Sequence, residues 1–389
     1  MFSSKTVTAY AVATAMSTIG GNAAATPLYR LYQDAFGFSA GLTTIIFAAY
    51  VASLLVALLV VGRLSDFIGR KPMILVALLI NLVALALFFF AGSTWELIAA
   101  RMVQGLAVGC ATTTLGAVIL DTDKAHAPML NGIINFAGLA VGALLAGTLA
   151  SFAPFPTHLV FVVLACLSII EIGLLMLVPE TAEKKPWARG VLRPHVELPA
   201  QVVAAFLRIT PVNIAAWSLG GFYLSLMPSL VVQVTGVKVP LLGASVVATL
   251  MVAGSAALVA VQNIEARKVL LGGSITLVAG VFITLAGLYW SNVTLMFIGS
   301  AIAGGGFGAT FSGIIRSILP LAASTERAGL LSTFYVESYL AFAVPAVIAG
   351  FVSPVLGFVA TVYWYAALVI VLTLVSFVIS LRAKEPTAS

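Results

Sequence analysis

The chain has 389 residues, of which 61% are hydrophobic and only 8% are charged. A soluble domain is about a quarter charged, so 13 acidic and 19 basic side chains are too few to dress a water-exposed surface of this size. With a mean hydropathy of +1.15, this composition excludes a soluble globule and the disordered, collagen-like and nucleic-acid-binding classes, which need polar, repetitive or densely basic sequence; it marks an integral membrane protein. Cys110 and Cys166 both lie inside apolar runs, which predicts neither a disulfide framework nor a metal cluster.

A membrane-spanning helix needs about 20 mostly apolar residues. In chain order, such runs fall at 7–28, 39–61, 72–91, 97–119, 129–150 and 159–178. After a polar gap, six more follow at 210–233, 241–262, 269–289, 293–315, 329–352 and 357–380. Long continuous runs predict helices, because barrel strands would be short and alternating. The first run has Lys5 before it and Ala23-Ala24-Ala25 near its end, in the manner of a cleaved leader. The eleven runs that follow favour an uncleaved first span. Spans five and ten are rich in glycine, with Gly138 and Gly142 in the one and Gly304, Gly305, Gly306 and Gly308 in the other. Small residues at such spacing let helices pack closely; the alternative is that these helices bend or slide.

The polar gap, 179–209, carries Pro179, Pro186, Pro194 and Pro199 and is too short for a domain. Its stretch from His195 to Thr210 could form an amphipathic helix on the membrane surface. Six spans, a linker and six more predict an all-α membrane fold of twelve helices in two similar six-helix bundles, 1–178 and 210–389, joined by 179–209. Basic residues gather on the cytoplasmic side of membrane proteins. With the N-terminus inside, sixteen of the 19 Lys and Arg fall inside, Arg30 and Lys238 fall outside, and Arg101 lies within span four. Both termini are therefore expected in the cytoplasm, and the net charge of +6 becomes a topology signal rather than a nucleic-acid patch.

The loop after span two reads Gly62-Arg63-Leu64-Ser65-Asp66-Phe67-Ile68-Gly69-Arg70-Lys71-Pro72. Topology alone would explain Arg70 and Lys71, but not the two spaced glycines with Asp66 between them. The string resembles, position for position, the signature loop G-x-L-x-D-x-x-G-R-K of the major facilitator superfamily. Arg101-Met102-Val103-Gln104-Gly105 in span four is similar to that family's R-x-x-Q-G pattern, and Asp121 stands where many members carry an acid. The resemblance implies the major facilitator fold, a bacterial inner (plasma) membrane, monomeric function and a cytoplasmic gate built from Gly62, Asp66, Gly69, Arg70, Lys71 and Asp121. In that gate Asp66, Arg70 and Asp121 would form a charge relay, with Asp66 facing the N-terminus of span eleven, where a helix dipole favours an anion. Rocking of the bundles would break such a latch. The segment from Gly138 to Gly147 matches the antiporter motif G-x-x-x-G-P-x-x-G-G only in part, with Ala143 for the proline and Ala146 for a glycine. The loop from Gln262 to Lys268 is a poor copy of the signature loop.

Three charges fall within the spans as drawn, Arg101, Glu171 and Glu337. A charge at the bilayer centre costs at least about 2.5–3.5 kcal/mol on insertion scales, so each should face a cavity or a partner. In the family, span four lines the cavity, so Arg101 is expected to bind an anionic substrate or tune a carboxylate; a structural pair with Asp34 or Glu96 is the alternative. Glu337 is the favoured proton-coupling group, because a carboxyl kept from water can exchange a proton near neutral pH. A static hydrogen bond to a neighbouring hydroxyl or amide is its alternative role. Glu171 and Asp34 are further coupling candidates. Asn22, Gln104, Asn135 and Tyr335 are polar cavity candidates, and Trp217, Tyr223 and Met227 could supply an adaptable apolar wall.

These features predict a secondary transporter that moves a small molecule by alternating access, coupled to protons, embedded in membrane lipid and needing no cofactor and no nucleic acid. Export of drugs or amphipathic metabolites is the leading expectation. A proton-coupled sugar or organic-acid carrier and a non-transporting receptor are the alternatives. No histidine cluster, paired carboxylates, nucleophile elbow or phosphate-cradling loop points to an enzyme.

Overall fold

A computed structural model describes residues 3–183, 194 and 196–382. Its first half contains α1 (Ser4–Ala24), α2 (Tyr29–Phe36), α3 (Ala40–Val61), α4 (Ser65–Ile68), α5 (Arg70–Phe90), α6 (Thr94–Thr122), α7 (Ala127–Phe152) and α8 (Leu159–Leu175). The second half contains α9 (Ala200–Ser225), α10 (Met227–Thr235), α11 (Pro240–Ala260), α12 (Ala266–Tyr289), α13 (Val293–Ile318), α14 (Arg327–Leu356) and α15 (Phe358–Arg382). Ten of these are long and apolar enough to cross a membrane: α3, α5, α6, α7, α9 and α11 to α15. Two others occupy the remaining places, the 17-residue apolar α8 and the 21-residue α1, which carries Thr14, Ser17, Thr18 and Asn22 among its apolar residues. The arrangement is compatible with twelve spans.

Three expectations change. Spans one and seven are not single helices: α1 stops at Ala24 and α9 at Ser225, and Pro27 and Pro228 follow each break. Proline lacks the N–H a continuing helix requires, so it restarts a helix instead of extending one. The short helices beyond the breaks, α2 and α10, both end on a left-handed glycine, Gly37 and Gly236, each at φ 71°. Finally, residues 200–210 are not a separate surface helix. They are the first turns of α9, which runs through Pro211 without stopping, as membrane helices can when neighbours satisfy the freed carbonyl. His195, where that surface helix was placed to begin, lies outside the described residues, as do Lys184, Lys185, Arg189, Arg193 and Lys384.

The two halves repeat one packing pattern. In the first, α3 packs on α6, α1 on α7, α5 on α6 and α5 on α8; in the second, α11 packs on α13, α9 on α14, α12 on α13 and α12 on α15. Each pairing is the other shifted by six spans, so the halves are two pseudo-symmetric six-helix bundles. They meet along α7 with α11 and α3 with α14. Glycine is what permits the closest approaches. A Cβ on Gly142 of α7 would lie 1.9 Å from the Gly20 carbonyl oxygen of α1, and one on Gly304 would lie 2.1 Å from the Leu250 carbonyl oxygen.

One end of the bundle gathers most of the basic side chains, the loops 62–69 and 123–126 and both described chain ends; Ser4 at the start of α1 bonds the Thr122 carbonyl, 2.9 Å away. At the opposite end the bundles are held together. The Thr26 hydroxyl donates to the Leu224 carbonyl at 2.9 Å, the Leu241 amide donates to the Ser151 hydroxyl at 3.0 Å, and Gly350 abuts Thr44. The polar connection between bundles is anchored at both of its ends. Glu180 accepts from the Arg70 and Lys71 amides at the start of α5, 2.7 and 3.2 Å away, while Lys71 donates to the Met176 and Val178 carbonyls. On the other side, the Thr333 hydroxyl donates to the Glu197 carbonyl at 2.8 Å and Gln201 donates to Glu326 at 2.7 Å.

Candidate functional site

A cavity of ≈ 370 Å³ lies between the bundles. Its lining runs from Asn22 near the end of α1 and from the middle of α3 and α6, at Tyr50 and Val108, to residues near the basic end, Leu58, Leu120 and Leu331. The wall is aromatic. Trp217 of α9 is ringed by Phe307, Phe311, Tyr339 and Phe342, with centroids 5.2–6.5 Å from its own. Phe136 of α7 meets Phe307 edge-on at 5.0 Å, so rings from both bundles share one surface. Among the described residues, no acidic or basic side chain lines the cavity. Its polar groups are neutral: Asn22, Thr112, Thr113, Asn131, Asn135, the Trp217 indole and the hydroxyls of Tyr50, Tyr335 and Tyr339.

Of the eight side chains expected at a substrate cavity, Asn22, Asn135, Trp217 and Tyr335 line it. The other four do not. Tyr223 is turned into the second bundle, where its hydroxyl meets that of Ser300 at 2.8 Å, and Met227 is buried beside it. Arg101 and Gln104 form the layer behind the cavity wall. The guanidinium is fully buried; Nη1 donates to the Asn22 carbonyl and side-chain oxygens, both at 3.0 Å, and to Gln104 Oε1 at 2.7 Å. Nη2 donates to the Tyr29 hydroxyl at 2.5 Å, and the Tyr50 ring centroid lies 4.9 Å from the guanidinium carbon. Gln104 in turn donates to the Gly21 carbonyl at 3.0 Å.

The alternative of an ion pair for Arg101 with Asp34 or Glu96 does not hold. Asp34 is exposed and pairs with Arg30 at 3.3 Å, and Glu96 accepts the Gly92 amide at 2.6 Å at the start of its own helix. Arg101 therefore stays a buried cation held by neutral oxygens and two rings. Lysine would keep the charge but could not reach Asn22, Gln104 and Tyr29 together or stack on Tyr50. Arg101→Lys should lower stability by about 2 kcal/mol, read as a drop of several degrees in thermal unfolding of the detergent-purified protein. An unchanged melting temperature would remove this cluster from the forces that hold the first bundle.

None of the three coupling candidates lines the cavity. Glu337 of α14 accepts the Thr210 hydroxyl of α9 at 3.4 Å, and its other oxygen is shielded from solvent with no hydrogen-bond partner among the described residues. Glu171 of α8 accepts the Ser17 hydroxyl of α1 at 2.5 Å, and again the second oxygen is buried and unpartnered. The two carboxyls thus bond equivalent helices, the first of each bundle.

At the basic end, the arginine after Gly69 gathers its neighbours. Arg70 Nη1 lies 2.5 Å from Asp66 and donates to Ser65 at 2.7 Å, and its Nε lies 3.1 Å from Asp121. Gly62 closes α3, while Gly69 adopts φ 105°, a left-handed backbone that favours glycine, and so turns the chain directly into α5. Glu180, which caps that turn, was not among the expected residues; the Pro-Glu-Thr run after span six is its only mark in the sequence. Of the aromatic wall, Trp217 and Tyr335 were expected; Phe136, Phe307, Phe311, Tyr339 and Phe342 were not, although Tyr335, Tyr339 and Phe342 stand at i, i+4 and i+7 on one helix face.

The sequence profile of the Major Facilitator Superfamily matches residues 10–264. The multidrug resistance protein MdtL of Shewanella oneidensis is 34% identical over 151 residues, and MdtL of Klebsiella pneumoniae is 34% identical over 111. These stretches cover 36% and 27% of the chain, and 36% and 28% of the length of those relatives. Among solved structures, a bacterial homologue of the human lysosomal transporter Spinster, captured inward-facing and unoccupied, superposes with a TM-score of 0.80 at 14% identity over 99% of both chains. At that identity the likeness is one of fold.

Proposed function

The chain belongs to the Major Facilitator Superfamily, and from that premise we propose that it exports small amphipathic molecules by alternating access, driven by protons. The family is one of transporters rather than enzymes, and its members move small molecules across a membrane. The positive-inside bias puts the basic end and both termini in the cytoplasm, so the cavity runs toward the cytoplasmic face and the closed end faces outward. The observation that carries the proposal is the cavity itself: aromatic, free of charged side chains among the described residues, shared by both bundles and closed at one end by interbundle contacts. Such a wall accommodates varied apolar molecules. The names of the two relatives, multidrug resistance proteins, support drugs as cargo. An organic-acid carrier would need the Arg101 guanidinium to bond the carboxylate in the cavity, and its Nη groups are taken up by Asn22, Gln104 and Tyr29 instead.

Proton coupling is assigned to Glu337 and Glu171. Glu171 is buried and Glu337 partly buried; each has one shielded oxygen with no hydrogen-bond partner among the described residues, and each is bonded to a helix that reaches the cavity wall, α9 through Trp217 and α1 through Asn22. Asp34, exposed and ion-paired, is left out of that path. Reconstitution into proteoliposomes with an imposed pH gradient tests the whole reading: flux of a hydrophobic drug should follow the gradient, and flux indifferent to it would end the proton-coupled account.

The Arg70 cluster acts as the inner latch in this scheme. Asp66→Arg sets two guanidinium groups against each other and should slow turnover at least about fivefold, a coupling of roughly 1 kcal/mol, with drug binding unchanged. Unaltered turnover in that variant would take the cluster out of the gating step.

A further inference from the structure

The charge of the cargo can be read from what stands behind the cavity wall. Guanidinium nitrogens only donate hydrogen bonds, so the Asn22 atom that faces Arg101 must be the amide oxygen, 3.0 Å from Nη1. The NH₂ group of Asn22 therefore points away from Arg101, and among the described residues it makes no hydrogen bond. Asn22 lines the cavity at its deep end. The second deep wall group, Tyr50, has the same guanidinium 4.9 Å from its ring centroid. No carboxylate among the described residues lies within ion-pair distance of Arg101, and the carboxyls of Glu171 and Glu337 bond Ser17 and Thr210, off the cavity.

From this arrangement we propose that the cavity selects uncharged aromatic molecules carrying an acceptor oxygen, which the Asn22 amide reads, and rejects organic cations. The proposal rests on the cavity being the transport site. An uncompensated positive charge one side chain behind the deep wall repels a cation in a low-dielectric cavity, where a unit charge is felt far more strongly than in water. The Asn22 donor, its carbonyl pinned by Arg101, is already oriented for an acceptor and loses little freedom when one arrives. The aromatic wall supplies dispersion contact for any flat ligand, so charge and acceptor are left to discriminate. Nearer the basic end, Asn135 donates to the Asn131 carbonyl at 2.9 Å and keeps its own side-chain oxygen for a ligand donor.

Two probes of nearly equal shape test this. Triphenylphosphine oxide is neutral with a strong acceptor oxygen; methyltriphenylphosphonium replaces that oxygen with a methyl group and carries a positive charge. Calorimetric titration of the purified protein should show the oxide binding about tenfold tighter or more. Asn22→Leu should weaken the oxide roughly two- to tenfold and leave the phosphonium unchanged. Asn22→Asp, which sets a carboxylate against Arg101, should bring the two affinities together. Equal or tighter binding of the phosphonium by the unaltered protein, or no binding of either probe, overturns the proposal. Phosphonium preference with gradient-driven flux intact would overturn charge selection and leave export standing. Oxide preference without gradient-driven flux would do the reverse.

Discussion

Replacing Glu337 with glutamine should abolish gradient-driven accumulation of cargo in proteoliposomes while exchange of labelled for unlabelled cargo continues. Glutamine keeps the size of the side chain and a hydrogen-bonding oxygen for Thr210, 3.4 Å from the carboxylate in the native protein, but it cannot gain or lose a proton. Exchange needs only a cavity that can reach both sides; accumulation needs a group whose protonation differs between them. Accumulation should fall to the level of a passive exchanger, a loss of about tenfold for each pH unit of gradient and each coupled proton. Because Glu337 does not line the cavity, cargo affinity should stay as it was. That separates a coupling role from a binding one. Accumulation at the native level in Glu337→Gln would move the coupling to Glu171, where the matching bond to Ser17 makes Glu171→Gln the next variant to measure.

Gly142→Val should prevent the folded protein from accumulating in the membrane. Even an alanine there would place its Cβ 1.9 Å from the Gly20 carbonyl oxygen and 2.5 Å from its Cα, and both are backbone atoms that no rotamer change can move aside. The α1 and α7 backbones would have to separate along their whole contact. Overpacking costs about 1–3 kcal/mol where side chains can yield and more where they cannot, so Gly142→Ala should already lower the melting temperature by several degrees. Gly173→Ala is the control, because none of the described residues lies within 4 Å of the added Cβ. Monodisperse Gly142→Val protein at native yield, judged by size-exclusion chromatography, would show that the two helices are not held at this distance.

Much of the architecture was legible because a bilayer asks for long apolar runs and little else. The twelve runs, the bias of basic residues and the loop from Gly62 to Lys71 were enough to anticipate the fold. The breaks after Ala24 and Ser225 were not anticipated, although Pro27 and Pro228 marked both. Hydropathy continues across a break, so a scan for apolar length reads through it. The start of α9 was misjudged for the opposite reason: Arg208 and Pro211 resemble an end, and neighbouring helices override them. Within the site, Trp217, Tyr335 and Asn135 were found because aromatic and amide side chains stand out in an apolar helix. Tyr223 stood out equally and faces Ser300 instead. Which way a residue points depends on helix rotation, and in an all-apolar span little in the sequence sets that angle, since lipid and bundle interior are equally apolar. The Arg101 partners were hidden for another reason. Asn22, Tyr29 and Tyr50 come from separate elements, and only the folded bundle brings them to one guanidinium.

The anchoring of the polar connection to each bundle should leave the covalent bond between the halves mechanically redundant. Glu180 and Lys71 tie its beginning to α5 and α8, and Glu197 and Gln201 tie its end to α14 and the turn before it. Each bundle thus closes its own polypeptide end, and the surfaces that recognise the other bundle lie elsewhere, along α3, α7, α11 and α14. A gene divided between residues 183 and 196 should therefore yield two fragments that find each other in the membrane. Co-produced halves should purify together through a tag on one of them and restore transport that neither supports alone. Halves that fail to associate would mean that the tether, and not the shared faces, holds the protein in one piece.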